Sequence, residues 1–406
     1  MQQRRTDANM PERRPVSKPT PASILNLVVF CTALGGMGLL AAFLPKPTYS
    51  ELEKRDLAKM PQFTPQSYFS GKYTQELDAF YSDTFPFRLN LVSLGSALEQ
   101  LRGFQVDDVK IHEVAPSSTP EVPASSTPEQ PGGSSAPEQA SSQPDEDAHA
   151  EQNGGVILYK DRAMSLFGGS QAMGKWYADV VNSFASTLPE VQVYDLVIPT
   201  AVEFYLPEKY QDTTAPQKPN IDYIYSQMDP KVKTVDAYSE LEKHTEEYLY
   251  FRTDHHWTVT GAYYAYVAFC REAGFEPVPY EDFTWHRKEP FLGTLYAQTQ
   301  YADLRNNPDY VDYPEISTPH QAYMYKRGQP FTPYASTIMA DYASGANMYS
   351  VFLHGDQPLT EIQTEIKNGR KIVVVKESFG NAFAPFLANH FETVYVAVSY
   401  THLPLK

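Results

Sequence analysis

The chain has 406 residues, 42% hydrophobic and 20% charged, enough for a large folded core. Lys+Arg of 33 against Asp+Glu of 49 leaves a formal net charge of -16, which excludes nucleic acid as the main partner because phosphate binding needs a basic face. The 2 cysteines, Cys31 and Cys270, exclude a disulfide scaffold and a Cys-rich zinc module.

Residues 1–23 carry Arg4, Arg5, Arg13, Arg14 and Lys18 against Asp7 and Glu12. Residues 24–44 then read ILNLVVFCTALGGMGLLAAFL, with no charge. About 20 apolar residues span a bilayer core, so a transmembrane helix is expected here. The basic flank keeps 1–23 in the cytoplasm and places everything after the helix outside the cell membrane. A cleaved signal peptide is the rival reading. Its apolar region runs ~7–15 residues and ends at a small-residue site, and neither feature is clear here.

Residues 45–112 form a membrane-proximal segment of the extracytoplasmic part. Apolar spacing predicts helices over 74–81 and over 89–101. Residues 113–153 are rich in Pro, Ser, Thr, Glu and Gln and have no apolar period. Such a stretch buries too little surface to offset its ordering entropy and is expected to be a disordered linker or insertion.

Residues 154–406 read as an α/β domain. Strands are expected over 156–159, 191–199, 248–252, 371–376 and 394–398. Helices are expected over 171–188 and 261–272, the latter stopping at Gly274. Asn368 and Gly369 carry the signal of a tight hairpin turn. The segment between the last two strands is expected to cross over as a helix, giving a βαβ unit and a parallel sheet.

Two motifs carry chemistry. Thr253, Asp254, His255, His256, Trp257 and Thr258 join an expected strand to a helix, where Thr258 or Thr260 can cap. A carboxylate two residues before an imidazole can orient that ring and stabilise its cation. Lys376, Glu377, Ser378, Phe379, Gly380 and Asn381 follow an apolar strand. Ligands in open α/β sheets bind beyond the carboxyl ends of strands, and a serine there sits near backbone N–H groups able to hold an oxyanion. Together the motifs offer Ser378 as nucleophile, His256 as general base and Asp254 as its orienting group. Gly380 and Asn381 are oxyanion candidates. The bland reading makes Ser378 a turn or cap residue and the Asp–His pair a hydrogen-bonded loop. A metal site on Asp254, His255 and His256 is a further alternative, but no HxH or HExxH spacing supports it. No metal and no cofactor is expected.

At these residues the sequence resembles the DHHW family of bacterial envelope proteins. It is similar to the wider SGNH-hydrolase-like group that holds the alginate O-acetyltransferases of AlgX and AlgJ type. The tetrad stands here as Asp254, His255, His256 and Trp257. SELEKRDL and FYSDTFPFR near residues 50–88 and KESFGNAFAPFL over 376–387 resemble the family's other blocks. The resemblance implies a three-layer SGNH-like α/β fold with a mainly parallel sheet, preceded by one transmembrane helix. It implies a triad of Ser378, His256 and Asp254, with His255 as the alternative base. It also implies serine-dependent O-acyl transfer, acetyl above all, to a cell-envelope or exported polysaccharide. The partners implied are that polysaccharide and a membrane-bound O-acyltransferase supplying acyl groups. A carbohydrate esterase and a non-catalytic polysaccharide-binding protein with a residual triad are the alternatives. Two departures stand out. Glu377 occupies a position where the family commonly has Asp. The tail 399–406 looks like translated adapter sequence, so a truncated gene is expected.

Overall fold

The computed structural model describes residues 20–50, 55–101, 109–112, 155–326 and 329–398. The stretch 113–153, most of the basic N-terminus and the tail 399–406 lie outside the described residues. The chain divides into two compact units, one of Met1–Thr48 and Leu57–Arg88, the other of Tyr49–Asp56 and Leu89–Lys406.

In the first unit, the apolar run forms helix α1 (Pro21–Phe43), long and apolar enough to cross a membrane. Leu25, Leu27, Phe30 and Leu34 are exposed along it, consistent with a membrane anchor. The helix expected over 74–81 is α2 (Lys72–Thr84), which buries Phe80 and Thr84.

In the second unit, α3 (Arg88–Leu101) agrees with the expected helix over 89–101. Strands β1 (Val109–His112), β2 (Val156–Tyr159) and β3 (Arg162–Ser165) form an antiparallel sheet. Helix α4 (Gln171–Thr187) starts at Ser170, whose hydroxyl accepts the Met173 N–H at 3.3 Å. The strand expected over 191–199 shortens to β4 (Val193–Asp195), which pairs in parallel with β5 (Val232–Thr234). Beyond it the Val197 N–H goes to the Tyr225 hydroxyl at 3.0 Å and Pro199 has no N–H, so the ladder cannot continue. The segment 248–252 is not a strand. A single bridge pairs Tyr250 with Trp257 and closes a turn. Helix α5 (Val259–Ala273) follows and ends at Gly274, whose φ of 74° is a left-handed cap. Next come β6 (Trp285–Phe291), α6 (Thr294–Thr299) and β7 (Asp309–Pro314), with β6 and β7 antiparallel.

The main sheet is built from β8 (His320–Lys326), β9 (Gln329–Ser336), β10 (Leu359–Thr364), β11 (Lys371–Lys376) and β12 (Thr393–Val398), in the order β9-β8-β10-β12-β11. It corrects the expected mainly parallel sheet. Three of its four pairings are antiparallel and only β11 with β12 is parallel. The fold is a three-layer α/β arrangement with a largely antiparallel sheet. The reason is local. Two residues join β8 to β9, too few for a crossover, so the chain must return antiparallel. Strands β8 and β10 alternate buried and open side chains, a weaker signal than the apolar runs on which the parallel reading rested.

Strand β11 is also an edge rather than a covered central strand. Ile372 and Val374 pack on the core, while Val373 and Val375 are 64% and 59% exposed. The hairpin expected at Asn368 and Gly369 does not form, because β12 lies between β10 and β11. The crossover from β11 to β12 does run through helix, in α7 (Gly380–Phe383) and the 3₁₀ segment Ala384–Asn389. Phe383, Phe386 and Leu387 there share one core with Ala262, Tyr266 and Phe269 of α5.

Candidate active site

The turn before α5 is folded back on itself. The Phe251 N–H donates to the His256 carbonyl at 3.2 Å, and the Thr258 N–H to the Leu249 carbonyl at 2.8 Å. Thr258 sits at the N-cap of α5, but its hydroxyl donates to the Tyr248 carbonyl at 2.5 Å and leaves the helix uncapped by a side chain. This turn carries Asp254 and His256, both buried, from the core toward the end of β11.

Asp254 accepts through both oxygens. Oδ1 takes the His256 backbone N–H at 3.0 Å and lies 2.6 Å from His256 Nδ1. Oδ2 takes the Thr294 N–H at 2.8 Å and the Thr294 hydroxyl at 3.0 Å. Burial alone would raise this carboxyl. The His256 and His255 rings beside it, with hydrogen bonds from His256 and Thr294, outweigh that and hold it well below the usual carboxylate range. An ionised Asp254 only accepts, so Nδ1 of His256 carries the proton toward it and Nε2 is turned to Ser378. That Nε2 lies 2.6 Å from Ser378 Oγ. The structure thus brings Asp254, His256 and Ser378 into one line of hydrogen bonds.

His255 points elsewhere. Its Nδ1 meets the Thr294 hydroxyl at 2.6 Å, and its ring lies 3.9 Å from that of His256. Ser378 is half-buried, just beyond β11. Glu377 accepts the Phe379 N–H at 3.0 Å and lies 3.4 Å from Ser378 Oγ, a weaker contact than the one to His256. The N–H groups of Gly380 and Asn381 donate to the carbonyls of Glu377 and Ser378, each at 3.2 Å. The Asn381 side chain turns inward, donating to Asp356 at 2.9 Å, and Asp356 also pairs with Lys376. Gly380 cannot carry a side chain, because its Cβ would fall 2.6 Å from Lys376 Cβ.

Several residues that build this arrangement carry no signal in the sequence. Thr294 comes from the start of α6, and Gly293 before it approaches so closely that a Cβ would stand 2.3 Å from Asp254 Oδ2. Tyr349, in the 3₁₀ segment Gly345–Val351, stacks on His256. Trp257 donates from Nε1 to the Phe379 carbonyl at 3.0 Å, so the last residue of the tetrad holds the serine turn. Asp309 secures the turn from behind.

Among the described residues, the only group of His, Cys, Asp and Glu able to share a metal ion is Asp254, His255 and His256, with ligand atoms within 4.8 Å. The donor set fits a metal poorly. Asp254 Oδ1 accepts from His256 Nδ1 at 2.6 Å, and Oδ2 is held by Thr294, so an ion would have to break those bonds.

The family profile described as DHHW protein matches residues 124–397. A DHHW family protein from Eubacterium siraeum, known from its crystal structure, is 37% identical, with a TM-score of 0.55 over 60% of this chain and 82% of that one. Bacillus cereus PatB1, in a structure with a sulfonyl adduct, is 16% identical, with a TM-score of 0.51 over 62% of this chain and 87% of PatB1, a likeness of fold. No curated protein matches the sequence.

Proposed function

Because the chain belongs to the DHHW family, we propose that it is a membrane-anchored serine acyltransferase that moves an acyl group, acetyl above all, onto a cell-envelope or exported polysaccharide. One observation carries the reading: the unbroken line from Asp254 through His256 to Ser378, with both links at 2.6 Å. A buried carboxylate, an imidazole of defined tautomer and a hydroxyl in that order are what acyl transfer through serine requires.

Ser378 Oγ attacks the acyl carbonyl as His256 Nε2 takes its proton. Asp254 steadies the resulting imidazolium. The tetrahedral intermediate collapses, the C–O bond to the donor breaks, and the leaving oxygen takes the proton from His256. A sugar hydroxyl then loses its proton to His256 and attacks the acyl-serine. Ser378 leaves, recovers the proton, and the sugar ester departs. Water in place of the sugar makes the same site an esterase. The N–H groups of Ser378, Gly380 and Asn381 are the candidates for holding the oxyanion. The 3.2 Å bonds of the last two within the turn are long, and a full negative charge outcompetes a carbonyl for them. The basic residues before α1 support an N-terminus in the cytoplasm and a domain outside it. There a membrane-bound O-acyltransferase is the partner that supplies acyl groups.

PatB1 is known with a sulfonyl adduct, and that reagent class is the first probe. The full chain in detergent is treated with p-nitrophenyl acetate or phenylmethanesulfonyl fluoride, and Ser378 is read by mass spectrometry. An adduct on Ser378 that disappears in Ser378→Ala and His256→Ala is the expected result. A folded chain with no adduct would instead support a polysaccharide-binding protein without catalysis.

A further inference from the structure

Tyr349, in the 3₁₀ segment Gly345–Val351, touches both halves of the site. Its ring lies 3.9 Å from the His256 ring at an interplanar angle of 12°. Its hydroxyl donates to the Ser378 carbonyl at 3.2 Å and lies 3.4 Å from the Phe379 carbonyl. The second carbonyl is the one that Trp257 also holds, at 3.0 Å. The side chain is enclosed, which raises its hydroxyl well above the ordinary tyrosine range, and the charges of Glu377, Asp254 and Asp356 add to that. The hydroxyl therefore stays a donor.

The geometry explains what Asp254 alone leaves undone. A hydrogen bond at Nδ1 fixes one corner of the imidazole but lets the ring tilt about that bond, which swings Nε2 away from Ser378. A flat ring stacked on one face removes the tilt. The His255 and Phe379 rings also lie near, but at 36° and 52° they cannot define the plane. The same π face attracts the imidazolium that forms when His256 takes the serine proton. Phe251 and Phe352 meet Tyr349 edge-on, at 90° and 65°, so that among its described ring neighbours His256 is the one stacked face to face.

We propose that Tyr349 is a positioning residue: its ring sets the plane of the His256 imidazole and its hydroxyl sets the Ser378 turn, so that Nε2 and Oγ are held in line. The kinetic consequence rests on the acyl-transfer reading above; the geometric one does not.

The test uses the full chain in detergent, with Tyr349→Phe keeping the stack and Tyr349→Leu and Tyr349→Met removing it. Two readouts are taken: the rate of Ser378 acylation by p-nitrophenyl acetate, and the downfield proton resonance of the short Asp254–His256 hydrogen bond. Tyr349→Phe should keep the resonance and acylate about 3–10-fold more slowly, from loss of the hydroxyl bonds. A folded Leu or Met variant should lose or broaden the resonance and acylate about 100-fold more slowly at unchanged KM, since a loosened catalytic geometry costs rate rather than binding. A folded Leu or Met variant with the resonance intact and the rate of Tyr349→Phe overturns the proposal. So does failure of both to fold, which makes Tyr349 a core residue only. If the unaltered chain forms no acyl-serine, the acyl-transfer reading fails by itself, and the resonance still decides the role of Tyr349.

Discussion

Asp309 accepts both the backbone N–H of Thr253, at 2.7 Å, and its hydroxyl, at 2.6 Å, and so grips the residue directly before Asp254. The same carboxylate takes the Arg252 N–H and Nε, each at 3.1 Å, and the Tyr248 hydroxyl. Thr253 in turn accepts the Gly293 N–H at 3.0 Å, and the next residue, Thr294, holds Asp254. A buried carboxylate on β7 is thereby linked through two loops to the imidazole.

Replacing Asp309 by Ala should cost about 3 kcal/mol, because it strands the buried N–H and hydroxyl of Thr253 and leaves Arg252 with Asp161 as its one carboxylate. Urea midpoints of the two proteins check this. A loss under about 1 kcal/mol would mean that water replaces the carboxylate.

Gly293→Ala should displace Asp254, since the new Cβ would stand 2.3 Å from its Cβ and Oδ2. An overpacking cost of about 1–3 kcal/mol is expected, with acylation of Ser378 slowed at least about tenfold. Gly274→Ala is the control. Its φ of 74° makes Ala unfavourable, but nothing lies within 4 Å, so it should lose about 1 kcal/mol and keep its rate.

Asp254→Asn should lower the acylation rate by about 10³–10⁴-fold. The carboxylate accepts four hydrogen bonds, and an amide must set its NH₂ against either His256 Nδ1 or the Thr294 N–H. Prolonged treatment with a chelator should leave the rate of the unaltered chain unchanged. Loss of activity restored by added metal would move the assignment to a metal centre on Asp254, His255 and His256.

Stability should fall on the acid side of neutrality through His390. Burial lowers this imidazole below its ordinary value of 6.5, and its Nε2 meets the Tyr266 hydroxyl at 2.5 Å while that oxygen accepts the Val278 N–H. The folded state thus favours the neutral ring. Above pH ~6.5 both states are neutral and the stabilisation is complete. As pH falls, the unfolded chain protonates first, and the stabilisation is gone below the depressed folded value. His354, also lowered by burial, contributes in the same direction. Urea midpoints between pH 7.5 and 5 should show the decline, and His390→Gln, which keeps an acceptor without titrating, should flatten it.

The parts of this protein that sequence makes legible are those that short-range physics dictates. The uncharged run after Ser23 can only be a helix of membrane-spanning length. The 3.6-residue stripe of Ala262, Tyr266 and Phe269 up to Gly274 gives α5 with its end. Asp254 and His256 are two residues apart, so their contact needs only a turn. Strands β11 and β12 and the helix between them read correctly because the connection is short and the strands are apolar.

The order and direction of the sheet are different in kind. Alternation along β8 and β10 says which face is buried but not which strand lies alongside. Pairing β10 with β12 and leaving Val373 and Val375 open at an edge was settled by the whole sheet. The same holds at the site. Ser378 stands 122 positions from His256, and Thr294, Asp309 and Tyr349 each arrive from a separate element. Sequence by itself determined which reactive side chains are on hand and that Asp254 and His256 can pair, because side-chain identity and near spacing are local properties. Tertiary structure alone decided which partners hold that chemistry in place, because a hydrogen bond or a ring stack between distant segments leaves no periodicity in either.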